Sequence, residues 1–481
     1  VSQAFYSVSA PAGSGKTYAL INYAIDLAKN GQKVLIAQPS KPLIDQTHRD
    51  LLAKNSGVPI TKLISTDGVR ATAPVLAKVV KHMQTAQSGQ GEVLLISQVT
   101  LGRLPTAFRR EWHLFVDEVP GAFKAHDMNM NKTHAFITAH TKVERLLIDD
   151  ILIVDPENET ALRQLAENPT GDKALATFCD LASDILNEDK FVCVSKSEYD
   201  ELLTPGSKRK TVFFYSFQRS EFVTGYQSVT MMGANFEDTE LYRLWEKLDN
   251  IEWKKHPILN ANLRYQKHTN GTRLTLKYLI KGNWSQYFAG QAFGDGTILS
   301  AMAQTIEAEL GQDFLWQANK KFGDFIFEYG ERLPIVTHGL NRASYQAKHG
   351  VALVRAINHS SGPAAFLKAI GFTAEELKVT LQYQNEYQAM MRCSLRDPNA
   401  TDDVTVFVVS EASAVWIEQH FPGCKVEQHQ SDIPEPRPSG QPVEEPMAPA
   451  ERVWNSREKR KLRIADAEGR AYEVRPWPGK K

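Results

Sequence analysis

Cysteine is scarce in this chain of 481 residues, and Cys179, Cys193, Cys393 and Cys424 lack the close pairing of a zinc or iron–sulfur site. Their pattern suits structural thiols in a reducing compartment. Net charge is missing too: 56 Lys and Arg balance 56 Asp and Glu, so no global basic field announces a nucleic-acid partner and any such binding must be local. No apolar run approaches the roughly 18 residues of a membrane span, and the N-terminus has no basic region followed by an apolar stretch. The expectation is a cytoplasmic protein. No internal repeat is present. A 42% hydrophobic and 23% charged composition over this length instead describes two or three ordinary globular domains.

What is present begins with "AFYSVSAPAGSGKT", a short apolar strand running into a Gly-rich turn. Ala19, Leu20, Tyr23, Ala24 and Leu27 follow at helical spacing, Asn30-Gly31 stops the helix, and "KVLIAQP" supplies the next strand. A Gly-rich turn inside a βαβ unit is the setting of a phosphate loop. Gly13 and Gly15 let the backbone turn its N–H groups toward a phosphate, Ser14 lies between them, and the helix N-terminus adds partial positive charge. Lys16 would reach the β- and γ-phosphates of ATP, and Thr17 the Mg²⁺ ion. Ala10 stands where the pattern usually begins with Gly.

The loop needs a carboxylate partner, and "HLFVDEVP" places Asp117 and Glu118 at the end of a buried strand. Asp117 would hold Mg²⁺ through water, while Glu118 would orient and deprotonate the water that attacks the γ-phosphate. Two adjacent acids suit hydrolysis, because one is occupied with the metal.

From here the order of segments resembles a superfamily 2 helicase, a motor with two RecA-like domains that grip ATP between them. The stretch "IAQPSKPLIDQTHRDL" resembles that family's second conserved segment, with Pro39, Ser40, Lys41 and Gln46 as implied nucleic-acid contacts. "LLISQVTLGRLP" resembles the strand and turn that touch the nucleic-acid backbone, through Thr100 and Gly102. Gly233-Ala234-Asn235 stands where the family's coupling segment usually has Ser-Ala-Thr. "DGTILSAMAQTIEAELG" has an amphipathic helix pattern, and "DFLWQANKK" a strand ending in a polar turn that carries Asn319. "LPIVTHGLNRASYQAKHGVALVRAIN" gives strand, Gly-containing loop and strand, with Thr337 and His338 as further implied contacts. "YQAMMRCSLRDP" resembles the family's Gln-x-x-Gly-Arg-x-x-Arg segment, with Met391 in place of Gly. Gln388 and Arg392 keep a four-residue offset and share a helix face. The resemblance implies an arginine finger on the γ-phosphate, Arg392 first and Arg396 second, the latter lying one residue later than the pattern places it. Upstream of the loop, Gln3 with Phe5 or Tyr6 are the candidates for adenine recognition.

The fold implied is α/β: two tandem RecA-like domains, the first (1–120 and 228–255) interrupted by a largely helical insert (121–227), the second at 256–428, and a disordered basic tail at 429–481. "KVERLLIDDILIV" and "ETALRQLAENPTGDKALATFCDLASDIL" read as helical. Phe213, Phe214 and Tyr215 read either as a stacking wedge or as core. His126, His134 and His140 read as a metal site or as a polar helix or loop, without a standard signature. The position of the insert resembles the arch of the iron–sulfur helicase branch, but that branch's four clustered cysteines are absent. The Pro-rich stretch after Ser431 reads as a linker. Arg457, Lys459, Arg460, Lys461 and Arg463 beyond it would touch nucleic acid, dock on a partner, or be solvated. The function implied is an ATP-dependent helicase or translocase on single-stranded nucleic acid, DNA before RNA. The alternative is an ATP-driven remodelling or loading subunit recruited through its insert or tail.

Overall fold

The computed structural model describes residues 3–65, 72–129, 133–148, 150–204, 211–323, 326–337 and 342–436, with 454, 457, 458, 461, 470 and 472 beyond them. Residues 1–434 form one compact unit and 435–481 a second. In the second unit, Tyr472 donates to Glu458 at 2.7 Å and Lys461 pairs with the same carboxylate at 2.7 Å.

The first unit is organised by two parallel sheets. One has seven strands in the order Lys254–Lys255, Phe5–Ser9, Ser228–Gly233, Trp112–Asp117, Lys33–Gln38, Glu92–Ser97 and Ile60–Lys62. Every pairing within it is parallel. The near-continuous apolar runs explain why: Val34 to Ala37 and Val93 to Ile96 are fully buried, as strands covered on both faces must be. The other sheet has six parallel strands, ordered Glu331–Arg332, Phe314–Gln317, Gly350–Leu353, Val404–Ser410, Leu274–Ile280 and Lys425–Gln428. Two tandem parallel sheets flanked by helices make the RecA-like pair.

Between Asp117 and Ser228 lies a third sheet, of five antiparallel strands. This corrects the largely helical expectation for the insert. "KVERLLIDDILIV" is not a helix but the strands Thr141–Ile148 and Ile151–Pro156. The β-branched run Ile151, Ile153 and Val154 favours the pleated form, and its buried strand lies between the edge strand Thr141–Ile148 and the middle strand Lys190–Ser195. Thr141–Ile148 lies at the edge, where Lys142, Glu144 and Arg145 are among the exposed or half-exposed positions and blunt it against further pairing. The helical expectation does hold for Glu159–Glu167 and Ala176–Ile185.

A second correction concerns "LPIV". It forms no strand: Leu333 N–H donates to Trp316 O at 2.7 Å, but Pro334 has no N–H to continue the ladder, and Gln317 fills in by donating to Pro334 O at 2.8 Å. The insert's aromatics resolve as packing. Phe214 is fully buried in the insert's own core, while Tyr215 stacks on Phe366 with ring centroids 4.1 Å apart. Phe366 lies on the Ser361–Ala369 helix, so this stack joins the insert to the half of the unit that carries the six-stranded sheet.

Candidate functional site

The phosphate loop leaves the C-terminal end of Phe5–Ser9, the end at which open parallel sheets bind ligands. Gly13 and Gly15 both have φ of 85°, a left-handed conformation that glycine adopts without steric cost. The helix Lys16–Lys29 then starts directly beneath the loop. Lys16 is nearly buried, and its Nζ donates to Ala10 O at 2.9 Å and to Pro11 O at 3.1 Å. Burial holds its pKa below the usual lysine value, against the pull of Glu118 and Asp117. Ser14 Oγ is buried with no hydrogen-bond partner among the described residues.

Asp117 ends its strand at 1% exposure and accepts from Thr17 Oγ1 at 2.9 Å and from Gln38 Nε2 at 2.8 Å. Burial first, and the neighbouring Glu118 charge second, raise its pKa to about 6. Those features fit a hard divalent cation: the Thr17 hydroxyl and Asp117 carboxylate meet at hydrogen-bond distance, and a cation would relieve the buried negative charge. Glu118 adopts φ of 71°, a strained region for a non-glycine residue. Gln98 holds it there, donating from Nε2 to Glu118 O at 2.6 Å.

The opposite wall comes from the six-stranded sheet. Gln388 lies on the helix Gln384–Met390, and Arg392 follows the helix end. Arg392 folds back on Gln388, its Nε 3.0 Å from the backbone oxygen and its Nη2 3.3 Å from Oε1. Burial, then the nearby Arg396, lower its pKa to about 10, and burial lowers that of Arg396 as well. Lys16, Thr17 and Glu118 from one side, with Gln388, Arg392 and Arg396 from the other, line a single cleft of about 760 Å³. The arrangement can hold a polyphosphate at the loop, with a carboxylate and two guanidiniums at its far end.

The residues expected to contact nucleic acid scatter more widely. Gln46 lines the same cleft as the phosphate loop. Pro39 is exposed, and Ser40 and Lys41 are half-buried beside it. The Thr100 hydroxyl meets the capping Ser97 hydroxyl at 2.9 Å, and Gly102 caps the other end of that short helix. Asn319 exchanges two 2.8 Å hydrogen bonds with the Ala356 backbone, which fixes the loop after Gly350–Leu353. Thr337 is buried, and His338 lies outside the described residues.

The adenine candidates sit away from the cleft. Gln3 donates to Val223 O at 2.7 Å and accepts from Gly225 N–H at 2.9 Å, Phe5 packs edge-on against Trp253, and Tyr6 meets His256. The three insert histidines also part company. His126 pairs with Asp184 at 3.0 Å, His134 meets Thr138 at 3.0 Å, and no group of three metal-ligating residues occurs among the described residues. No helix among the described residues is long and apolar enough to cross a membrane.

Reading the sequence missed Gln38, Gln98, Tyr265 and Tyr387. Gln38 closes the strand next to the acidic pair, and Gln98 lies two residues before Thr100, so both were adjacent to segments already singled out. The tyrosines had no local signal.

No family model matches the chain, and no curated protein matches it. Solved structures that resemble it include an XPD helicase at 10% identity, covering 89% of this chain and 96% of that one with a TM-score of 0.49. Xpd4 of S. tokodaii matches at 10% identity over 89% and 96%, with a TM-score of 0.43. S. cerevisiae Dbp5 bound to RNA and ADP BeF3 matches at 10% identity over 89% and 85%, with a TM-score of 0.38.

Proposed function

We propose that the chain is an ATP-dependent nucleic-acid helicase or single-strand translocase, acting on DNA in preference to RNA. The observation that carries this reading is the shared cleft, in which Lys16, Thr17 and Glu118 face Gln388, Arg392 and Arg396 across two separate sheets. A polyphosphate held by one wall and sensed by the other couples hydrolysis to movement of the walls.

In this reading Lys16 leaves the loop carbonyls to hold the β- and γ-phosphates, and the loop N–H groups cradle the chain of phosphates. Thr17 and Asp117 would hold Mg²⁺, which when bound supplies charge neutralisation at the phosphate oxygens. Glu118 orients the attacking water and takes its proton. Arg392, or Arg396 in its place, stabilises charge that builds on the γ-phosphate, and Gln388 fixes the Arg392 side chain. The single strand would lie over segments at the strand ends, among them Pro39, Ser40, Lys41, Thr100, Gly102, Asn319 and Thr337. Polar side chains and backbone N–H groups grip a strand without a basic global charge.

A second reading keeps the cleft and makes the chain a remodelling or loading subunit. It is favoured by Gly233-Ala234-Asn235, which offers no side-chain hydroxyl to relay nucleotide state. The test is steady-state ATP hydrolysis with no nucleic acid, single-stranded DNA, duplex DNA or single-stranded RNA, with Glu118→Gln as control. Strong stimulation by single-stranded DNA, lost in the control, is expected. Hydrolysis indifferent to every nucleic acid would replace the first reading with the second.

A further inference from the structure

We infer that Tyr387 and Tyr265 are positioning residues that bracket one peptide of the phosphate loop, so that the loop holds its phosphate-binding shape only when the cleft is closed. This rests on the nucleotide reading of the cleft.

The bracketed residue is Ala12. Its N–H donates to Tyr387 Oη at 2.8 Å, and its carbonyl accepts from Tyr265 Oη at 3.0 Å. Tyr387 belongs to the Gln384–Met390 helix of the second wall, and Tyr265 to the connector between the two parallel sheets. Ala12 and Ala234 are packed into the apolar cluster of the six-stranded sheet, although both belong to loops of the other. The loop therefore has its tip inside the neighbouring core.

The hydrogen bonds have a fixed direction. His268 Nε2 lies 2.8 Å from Tyr387 Oη, and its ring stacks on Phe421 at 4.1 Å. Ala12 N–H can only donate to the hydroxyl oxygen, and burial keeps the imidazole neutral, with a pKa of about 3, so the tautomer with Nε2 unprotonated gives the tyrosine O–H its acceptor. The hydroxyl oxygen is thereby left to accept from Ala12 N–H. Tyr387 is fully buried and Ala12 nearly so, and the tyrosine hydroxyl is the partner the fold supplies for this amide.

Two neighbouring contacts reinforce the bracket. Gln384, three residues earlier on the same helix, donates to Asn235 O at 3.2 Å, so the wall that reads the phosphate loop also reads the Gly233-Ala234-Asn235 turn through its backbone. A side chain at Gly13 would place its Cβ 2.7 Å from Tyr265 Oη. Glycine there serves the approach of Tyr265 as well as the bend of the loop. Opening the cleft takes Tyr387 from the Ala12 N–H, whereas Tyr265 stays beside the loop through its neighbour Arg264, whose N–H donates to Ser14 O at 2.9 Å. Nucleotide binding and closure are then linked in both directions.

The test uses Tyr387→Phe and Tyr265→Phe in the full chain, with Tyr383→Phe as control. Tyr383 is as buried and lies in the same cluster, one turn before Tyr387, and no contact joins it to the loop among the described residues. The expected result is a roughly 3- to 10-fold rise in the Kd for ATP and ADP and in KM for either bracket variant, the size of one lost hydrogen bond. The kcat at saturation should match the control, and the rise in apparent Tm on adding nucleotide should be smaller than in the control. Unchanged Kd and KM would overturn the bracket, as would parallel losses in Tm and kcat that the control shares. Lys16→Ala separates the two levels: nucleotide binding retained there would remove the cleft reading and the bracket with it, whereas binding lost there and normal in both bracket variants would remove the bracket alone.

Discussion

The two walls of the cleft are made by different physical means. On the seven-stranded side the polar groups answer one another: Thr17 and Gln38 both donate to Asp117, Gln38 also reaches Thr47 at 2.8 Å, and Lys16 is tied to its own loop. On the six-stranded side burial lowers the pKa of both guanidiniums, Arg396 lowers that of Arg392 further, and the charge of Glu118 across the gap opposes both shifts. In the proposed reading the first wall is preorganised to accept phosphate and cation. The second concentrates positive charge that is best relieved by an anion in the cleft, which gives closure a direction.

Breaking the first wall should have the largest effect. Lys16→Ala is expected to reduce ATP hydrolysis by about a thousandfold or more, measured as initial rate at saturating ATP, since the ammonium that reaches the phosphates is gone. Near-wild-type hydrolysis would remove the cleft from the chemistry. On the second wall, Arg392→Ala should lower kcat by on the order of 100-fold or more, and Arg396→Ala by less. The reverse order would make Arg396 the finger.

A finer probe is Gln98→Ala, which frees the Glu118 carbonyl and lets a strained backbone relax. A roughly tenfold fall in kcat, about 1.4 kcal/mol, is expected with KM little changed. An unchanged kcat would mean that Glu118 is placed without Gln98. The smallest effect is on stability. Asp117 has a folded pKa of about 6, above its ordinary value of 3.8, so the folded state holds the extra proton between those values and loses relative stability as pH rises through 6. Asp117→Asn removes that dependence. Its apparent Tm relative to wild type should rise by about one to two degrees from pH 5 to pH 7.5, on the order of 1.4 kcal/mol. A gap that is flat with pH would show Asp117 to be ionised throughout.

The insert offers a contrast in legibility. Strand, loop and helix around Lys16 were plain because apolar periodicity and the glycine spacing agreed, and the buried run before Asp117 was equally clear. "KVERLLIDDILIV" misled because its apolar residues fit a helical spacing as well as a strand's, and only pairing with the central strand Lys190–Ser195 decided between them. Gln3, Phe5 and Tyr6 misled for a related reason. Their position before the loop is local, but the partners that claim them, Val223, Trp253 and His256, are distant in sequence.

By itself the sequence determined the local chemistry: a loop that can turn its amides to a phosphate, a lysine and a threonine at a helix start, and two acids at a strand end. Those depend on neighbours within a few residues, through backbone sterics and periodicity. Only the tertiary structure decided which distant groups complete them. Gln38 reaches Asp117 because their strands pair, Arg392 meets Glu118 because two sheets face each other, and Ala12 finds a tyrosine on each side of its peptide. Hydrogen bonds between residues hundreds of positions apart leave no periodic trace in the chain, because each is satisfied by a single side chain brought near by packing.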